Sequence, residues 1–238
     1  MIEQQPAYVL HSRPWREISL IADLFTLHSG RVSVVIKGAR SGTTKQPAQR
    51  ALIQPFTPLM ISFGGRGELR TAHQIDAAGP PLSLSGTGLY SGFYVNELLL
   101  KLLALDDAHE TLFAYYQALL DQLADNCGIE QSLRPFETHL MAELGYHIEL
   151  DRDRGTGAAV TAERDYLFTP LEGVNLYLGG LRNGPLVSGK VLLALAQGDY
   201  SDPTNMKYAK YMARANIDQL LGGQPLHSRT LFQSISST

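Results

Sequence analysis

"AYVLHSRPWREISLIADLFTLHSGRVSVVIKGAR", residues 7–40, decides how the first third of the chain is read. Runs rich in Val, Ile, Leu, Phe and Tyr at 7–13, 17–26 and 31–39 are separated by Arg13-Pro14-Trp15-Arg16 and His28-Ser29-Gly30. This is the composition of short strands joined by turns. In the second run Ile18, Leu20 and Ala22 fall on one face and Ser19, Ile21 and Asp23 on the other, which is the period of two expected of a strand. Downstream, "LIQPFTPLMISF" (52–63) and "ELRTAHQI" (68–75) extend the pattern across Gly64-Gly65-Arg66-Gly67, which reads as a tight hairpin turn. Five short strands with the longest connection after the third predict a small Greek-key barrel of the OB type. Pro55 and Pro58 predict that the fourth strand is an edge or bulged strand.

Past "AAGPPLSLSGTG" (77–88), a linker by composition, the apolar period changes. "LYSGFYVNELLLKLLAL" (89–105), "HETLFAYYQALLDQLADN" (109–126) and "SLRPFETHLMAELGY" (132–146) carry apolar residues at helical spacing. Asp107 and Glu110 resemble a capping box for the second of these. Short strands and turns are expected over 147–187, then a short helix at 188–199. Asp202-Pro203 starts a last long helix that runs to Leu221 and ends at Gly222-Gly223. The fold class predicted is α+β, with a five-stranded barrel over 1–78 and a mainly helical domain over 79–238.

Composition excludes several classes. An apolar fraction of 44% and a charged fraction of 18% describe a folded chain, not a disordered one. No apolar run reaches the roughly 18 residues of a membrane span. The start "MIEQQPAYVL" has no secretory pattern, so a cytoplasmic location is expected. A single cysteine, Cys127, forms neither an internal disulfide nor a cysteine-rich zinc site, and reads as a small residue near a helix end. Gly86-x-Gly88-x-x-x-Gly92 misses the dinucleotide fingerprint by one position, and Gly64-Gly65-Arg66-Gly67 lacks the Lys-Ser/Thr of a phosphate loop. Asp151-x-Asp153 lacks the further ligands of a calcium loop, and the seven histidines are scattered. No catalytic residues, metal ligands or cofactor are predicted. The chain does not read as an enzyme.

Charge is unevenly divided. Residues 1–80 hold 9 Lys and Arg against 5 Asp and Glu, whereas 81–238 hold 11 against 18. Between Asp23 and Glu68 there is no carboxylate, yet Arg31, Lys37, Arg40, Lys45, Arg50 and Arg66 are all present. An OB barrel binds single strands by tracking phosphates with cations and stacking bases on aromatic rings. The six cations are therefore the predicted DNA contacts. Tyr8, Trp15, Phe56 and Phe63 are possible stacking partners, the two phenylalanines reading better as barrel core. With no base-specific reader in view, binding is expected to be largely independent of sequence.

The strings at 7–40, 52–71 ("LIQPFTPLMISFGGRGELRT"), 89–103, 133–146 ("LRPFETHLMAELGY") and 220–232 ("LLGGQPLHSRTLF") together resemble the bacterial RecO family of DNA repair proteins. The resemblance covers nearly the whole chain in order. It implies an OB-fold followed by a helical domain, and a recombination mediator. Such a protein binds single- and double-stranded DNA and anneals complementary strands. It engages the acidic, Pro-Phe-ended tail of single-stranded DNA-binding protein (SSB) and, with RecR, helps load RecA, so it would join the nucleoid during repair. Lys37 and Arg40 match the family's "KGAR" block; Lys45 and Arg50 lie in the variable loop beyond. Arg134 matches a basic residue beside an apolar groove that suits the SSB tail, while Pro135 replaces a second basic residue common there. Many members carry a four-cysteine zinc knuckle at positions matching 151–185, where this chain has no cysteine. Its packing alone must hold that segment. Two other readings are an interaction adaptor whose barrel meets protein and never DNA, and a hydrolase whose site forms only in three dimensions.

Overall fold

The computed structural model describes residues 2–40, 49–126, 128–182 and 184–233. Cys127 and Lys45 lie outside the described residues. Five strands close a barrel in the order β1-β2-β3-β5-β4: β1 (Ile2–Trp15), β2 (Ser19–Thr26), β3 (Gly30–Ile36), β4 (Leu59–Gly64) and β5 (Leu69–Ala77). All neighbours are antiparallel except β3 and β5, which run parallel from Ser33↔Leu69. Alternation sets the two surfaces of the wall. Leu20, Ala22, Leu24, Val32, Val34 and Ile36 fill the interior with Leu59, Ile61 and Phe63.

Three strand expectations change. The first strand runs straight through Pro14, which pairs with Leu20; there β1 has no second neighbour, so the missing proline N–H breaks no ladder bond. Residues 52–58 do not extend the fourth strand. A short helix α1 (Gln49–Leu52) and an irregular turn come first, with Phe56 at φ 65°. Because Pro55 and Pro58 precede β4, that strand is paired on both sides and is not an edge; its register shift falls at Ser62/Phe63.

The outer face of β2 is covered as well, and every residue of that strand is buried. Two helices lie on the barrel: α2 (Gly86–Leu102) and α3 (Glu110–Ala124). Phe25 and Tyr8 meet Phe113 and Tyr116 of α3 with ring centroids 5.3–5.8 Å apart, a range in which aromatic pairs attract. β1 bulges at Leu10, and Asn96 of α2 donates to the Val9 and Leu10 carbonyls at 3.4 and 3.2 Å while accepting from the Tyr116 hydroxyl at 2.7 Å. The capping box does not form. His109 is the N-cap of α3 and makes no side-chain cap bond; the helix starts two residues later than an Asp107 cap requires. A terminal helix α7 (Ser228–Gln233) packs on α2, its entry fixed by Glu97, which accepts from the His227 and Ser228 amides at 2.9 and 2.8 Å.

The barrel, α1 to α3 and α7 form one compact unit, and residues 130–225 the other. The second contains most of α4 (Ile129–Glu143), a sheet of β6 (Asp165–Thr169), β7 (Gly173–Leu176) and β8 (Leu186–Ser188), α5 (Gly189–Ala196) and α6 (Pro203–Leu220). β6 lies in the middle of the sheet. Asp202 caps α6 by accepting from the Thr204 amide at 2.7 Å.

The segment 151–185 does not fit a zinc knuckle, since it has no cysteine and a buried carboxylate instead joins its parts. Buried Asp153 accepts from the Thr156 hydroxyl and amide at 2.7 Å each and from the Leu176 amide at 2.5 Å. Those bonds, the Thr156 hydroxyl first, hold its pKa below the ordinary aspartate value. Among the described residues no group of three His, Cys, Asp or Glu side chains is placed to hold a metal ion. Chelator is expected to leave the melting temperature unchanged, whereas Asp153→Ala costs on the order of 3 kcal/mol in denaturant unfolding. With its folded pKa depressed, Asp153 contributes stability above the unfolded value that is lost as pH falls through the folded one. Acid should therefore destabilise the wild type more than Asp153→Ala.

Candidate nucleic-acid interface

The five predicted cations among the described residues do not form one patch. Lys37 and Arg40 follow β3 and are exposed. Lys37 directly follows Ile36, which pairs with Leu20, and the next residue back on β2, Ser19, pairs with Trp15. The Arg40 amide donates to the Ile18 carbonyl at 2.9 Å and its Nη1 to the Arg16 carbonyl at 3.4 Å. Lys37 and Arg40 thus sit against the turn that joins β1 to β2. That turn adds Arg16, exposed and left-handed at φ 52°, and exposed Glu17. Arg13, on the same outer face of β1, pairs with Asp23 at 3.2 Å.

The other cations lie elsewhere. Arg31 is at the opposite end of β3, with its Nε donating to the Leu103 carbonyl at 2.9 Å and its own carbonyl accepting from the Asp106 amide. This side chain fastens the end of α2 to the barrel. Arg66 is exposed in the β4–β5 turn, and Arg50 is exposed on α1. Of the possible stacking rings, Tyr8, Phe56 and Phe63 are buried, and only Trp15 is open, at 39% exposure. Arg16 escapes sequence reasoning because Asp23 separates it from the acid-free window and Glu17 follows it directly. The available signal is the short turn itself, which brings both ends of the β1–β2 hairpin to the start of the basic loop.

A second candidate lies in the unit of residues 130–225. Arg134 is not an exposed helix charge. It is buried on α4, its Nη1 2.7 Å from Glu137 Oε2, with side-chain exposures of 7% and 2%. Its Nε donates to the Glu130 carbonyl at 3.3 Å. The pair borders a cavity of about 360 Å³ whose apolar wall includes Met141, Phe168, Leu195 and Met212. Pro135 lies within α4 and removes one backbone donor from the helix.

A closed five-stranded barrel with cations gathered at one end, continued by a mainly helical region, defines a protein of the OB class. Comparison with known proteins makes the assignment particular. The family model for the recombination protein O N-terminal domain matches residues 1–81, and that for the C-terminal domain residues 84–230. The DNA repair protein RecO of Marinobacter nauticus is 43% identical over 234 residues, covering 97% of this chain and 94% of the relative. Those of Nitrosospira multiformis and Shigella flexneri are each 40% identical, over 97% and 96% of this chain and 95% and 93% of theirs. This chain belongs to the RecO family of DNA repair proteins. No described helix is long and apolar enough to cross a membrane.

Proposed function

We propose that this chain is a recombination mediator that binds and anneals DNA strands. Through the SSB tail and together with RecR, it helps RecA load onto SSB-coated single strands. It acts by bringing strands and partners together, without a turnover site. The observation that carries the reading is the placing of Lys37, Arg40 and Arg16 at one end of the barrel. Such a surface lowers the repulsion between two polyanionic strands, and non-specific contacts let them slide into register. Lys45 and Arg50 are added to the proposed contacts on their charge alone. Arg66 and Arg31 contribute at most to the field beyond it, Arg31 being already bonded to Leu103. Residues 1–78 act as the DNA module and residues 79–238 as the partner module.

Partner docking is assigned to the cavity beside Arg134. A guanidinium carries five donors in a rigid fork suited to a carboxylate, and the apolar wall suits an aromatic side chain from the tail. Docking raises the local concentration of the barrel surface on coated DNA without demanding tight intrinsic affinity.

The test is single-stranded DNA binding by fluorescence anisotropy across a salt series. Wild-type affinity should fall steeply with salt. Lys37→Glu/Arg40→Glu should bind roughly tenfold or more weakly at low salt, with a log–log slope shallower by about 1.4 or more, the loss of two phosphate contacts on a single strand. Equal binding by the two proteins moves DNA contact off this end of the barrel and favours the adaptor reading.

A further inference from the structure

The β1–β2 turn exposes two large apolar side chains beside the cations, Trp15 at 39% and Ile18 at 52%. We propose that Trp15 and Ile18 form a base-stacking platform, so that this end of the barrel prefers single strands to duplex. The inference rests on the DNA-binding reading above and gives its site a substrate class.

The placement carries the argument. Trp15 closes β1 opposite Ser19, and Lys37 directly follows Ile36, which pairs with Leu20, the neighbour of Ser19. Carried one residue further, that register would put Trp15 and Lys37 two strand spacings, about 10 Å, apart across Ser19. The phosphate-to-base offset of a single strand is of the same order, so one nucleotide can meet a cation and a ring together. The turn is also held in shape. Arg40 spans it with bonds to the Ile18 and Arg16 carbonyls, and Arg16 keeps a left-handed backbone that a non-glycine residue rarely adopts. A mobile tip would lose entropy on binding, which a braced one has already given up. Glu17 is the one acid in the turn, against Arg16, Lys37 and Arg40 around it.

The occupant follows from the chemistry. A duplex presents phosphates to Arg16, Lys37 and Arg40, but its base faces are covered by neighbouring pairs. A single strand presents both phosphates and open π-faces. Stacking is insensitive to sequence because every base has such a face, in keeping with a surface that has no base-specific reader.

Trp15 is the only tryptophan in the chain, so intrinsic emission reports on this position alone. Oligo(dT) and a hairpin duplex of equal phosphate count are titrated into the intact protein, and binding is followed in parallel by anisotropy of end-labelled DNA. Oligo(dT) should quench the emission strongly and the duplex little. Trp15→Ala should weaken oligo(dT) binding roughly five- to a hundredfold and leave duplex binding within about twofold, while Trp15→Phe keeps most of the single-strand affinity. Oligo(dT) that binds without moving the emission overturns the platform and leaves the DNA-binding reading standing. Equal losses for both DNA forms in Trp15→Ala overturn it too, making the turn a brace for the cations. If neither DNA form binds, the platform and the reading beneath it fall together. Emission that responds only to a protein partner assigns the patch to protein docking and overturns the proposal.

Discussion

Gly30→Ala is expected to lower the stability of the barrel unit by about 4 kcal/mol, a fall of roughly 10 °C in melting temperature. Two causes add. Gly30 begins β3 at φ +62°, where an L-residue costs about 1 kcal/mol or more. A Cβ there would also fall 1.6 Å from the Asp107 carbonyl oxygen, an overlap that no side-chain rotation relieves. Residues 103–107 would have to retreat, breaking the Arg31 bond to Leu103, the Asp106 amide bond to Arg31 and the 2.7 Å Arg70–Asp106 ion pair. Gly67→Ala is the control that separates the two. It has φ +83°, and a Cβ added there would meet nothing within 4 Å, so it should cost only the backbone part. Equal effects at the two positions, in urea unfolding followed by circular dichroism, would show that the close approach to Asp107 carries no weight.

That contact shows where sequence reading ends. β2, β3 and β5 are legible because residues common in strands, Val, Ile, Leu, Phe and Thr, recur along them and turn residues bound them. Helices α2, α3 and α6 are legible from apolar spacing, and the start of α6 from Asp202-Pro203. These signals lie within a few residues of one another. Arg31, by contrast, reads as a cation in an acid-free window together with Lys37 and Arg40, yet it lies at the opposite end of β3. Its partner, the Leu103 carbonyl, is 72 residues away, and no local pattern announces it. Tyr8 likewise reads as an available ring until Phe113 and Tyr116 cover it. The shortness of the fourth strand is hidden because "LIQPF" is apolar enough for a strand, while the positive φ of Phe56 is a tertiary decision. At the candidate interface, the acid-free window points to Lys37 and Arg40, but Arg16 joins them only through the turn that Arg40 spans.

The second large effect is expected at Arg134 and Glu137. Glu137→Ala leaves a guanidinium in a site that exposes 7% of its side chain, and removing one partner of a buried ion pair typically costs about 3–5 kcal/mol, because the survivor stays out of water without its counter-charge. Replacing both partners by apolar residues of similar size removes that penalty. Arg134→Met/Glu137→Leu should therefore unfold within about 1–2 kcal/mol of the wild type, and it separates structure from docking. If Arg134 serves only to neutralise Glu137, the double variant should bind a synthetic acidic SSB-tail peptide as well as the wild type does. If the guanidinium receives a tail carboxylate, as proposed, the double variant keeps its fold and loses peptide affinity by roughly tenfold or more, since a charge-assisted bond is worth about 1.5–3 kcal/mol. Peptide titration by calorimetry, with unfolding measured on the same samples, distinguishes the two. The cavity wall of Phe168 and Met212 is retained in both proteins, so any loss is that of the charge.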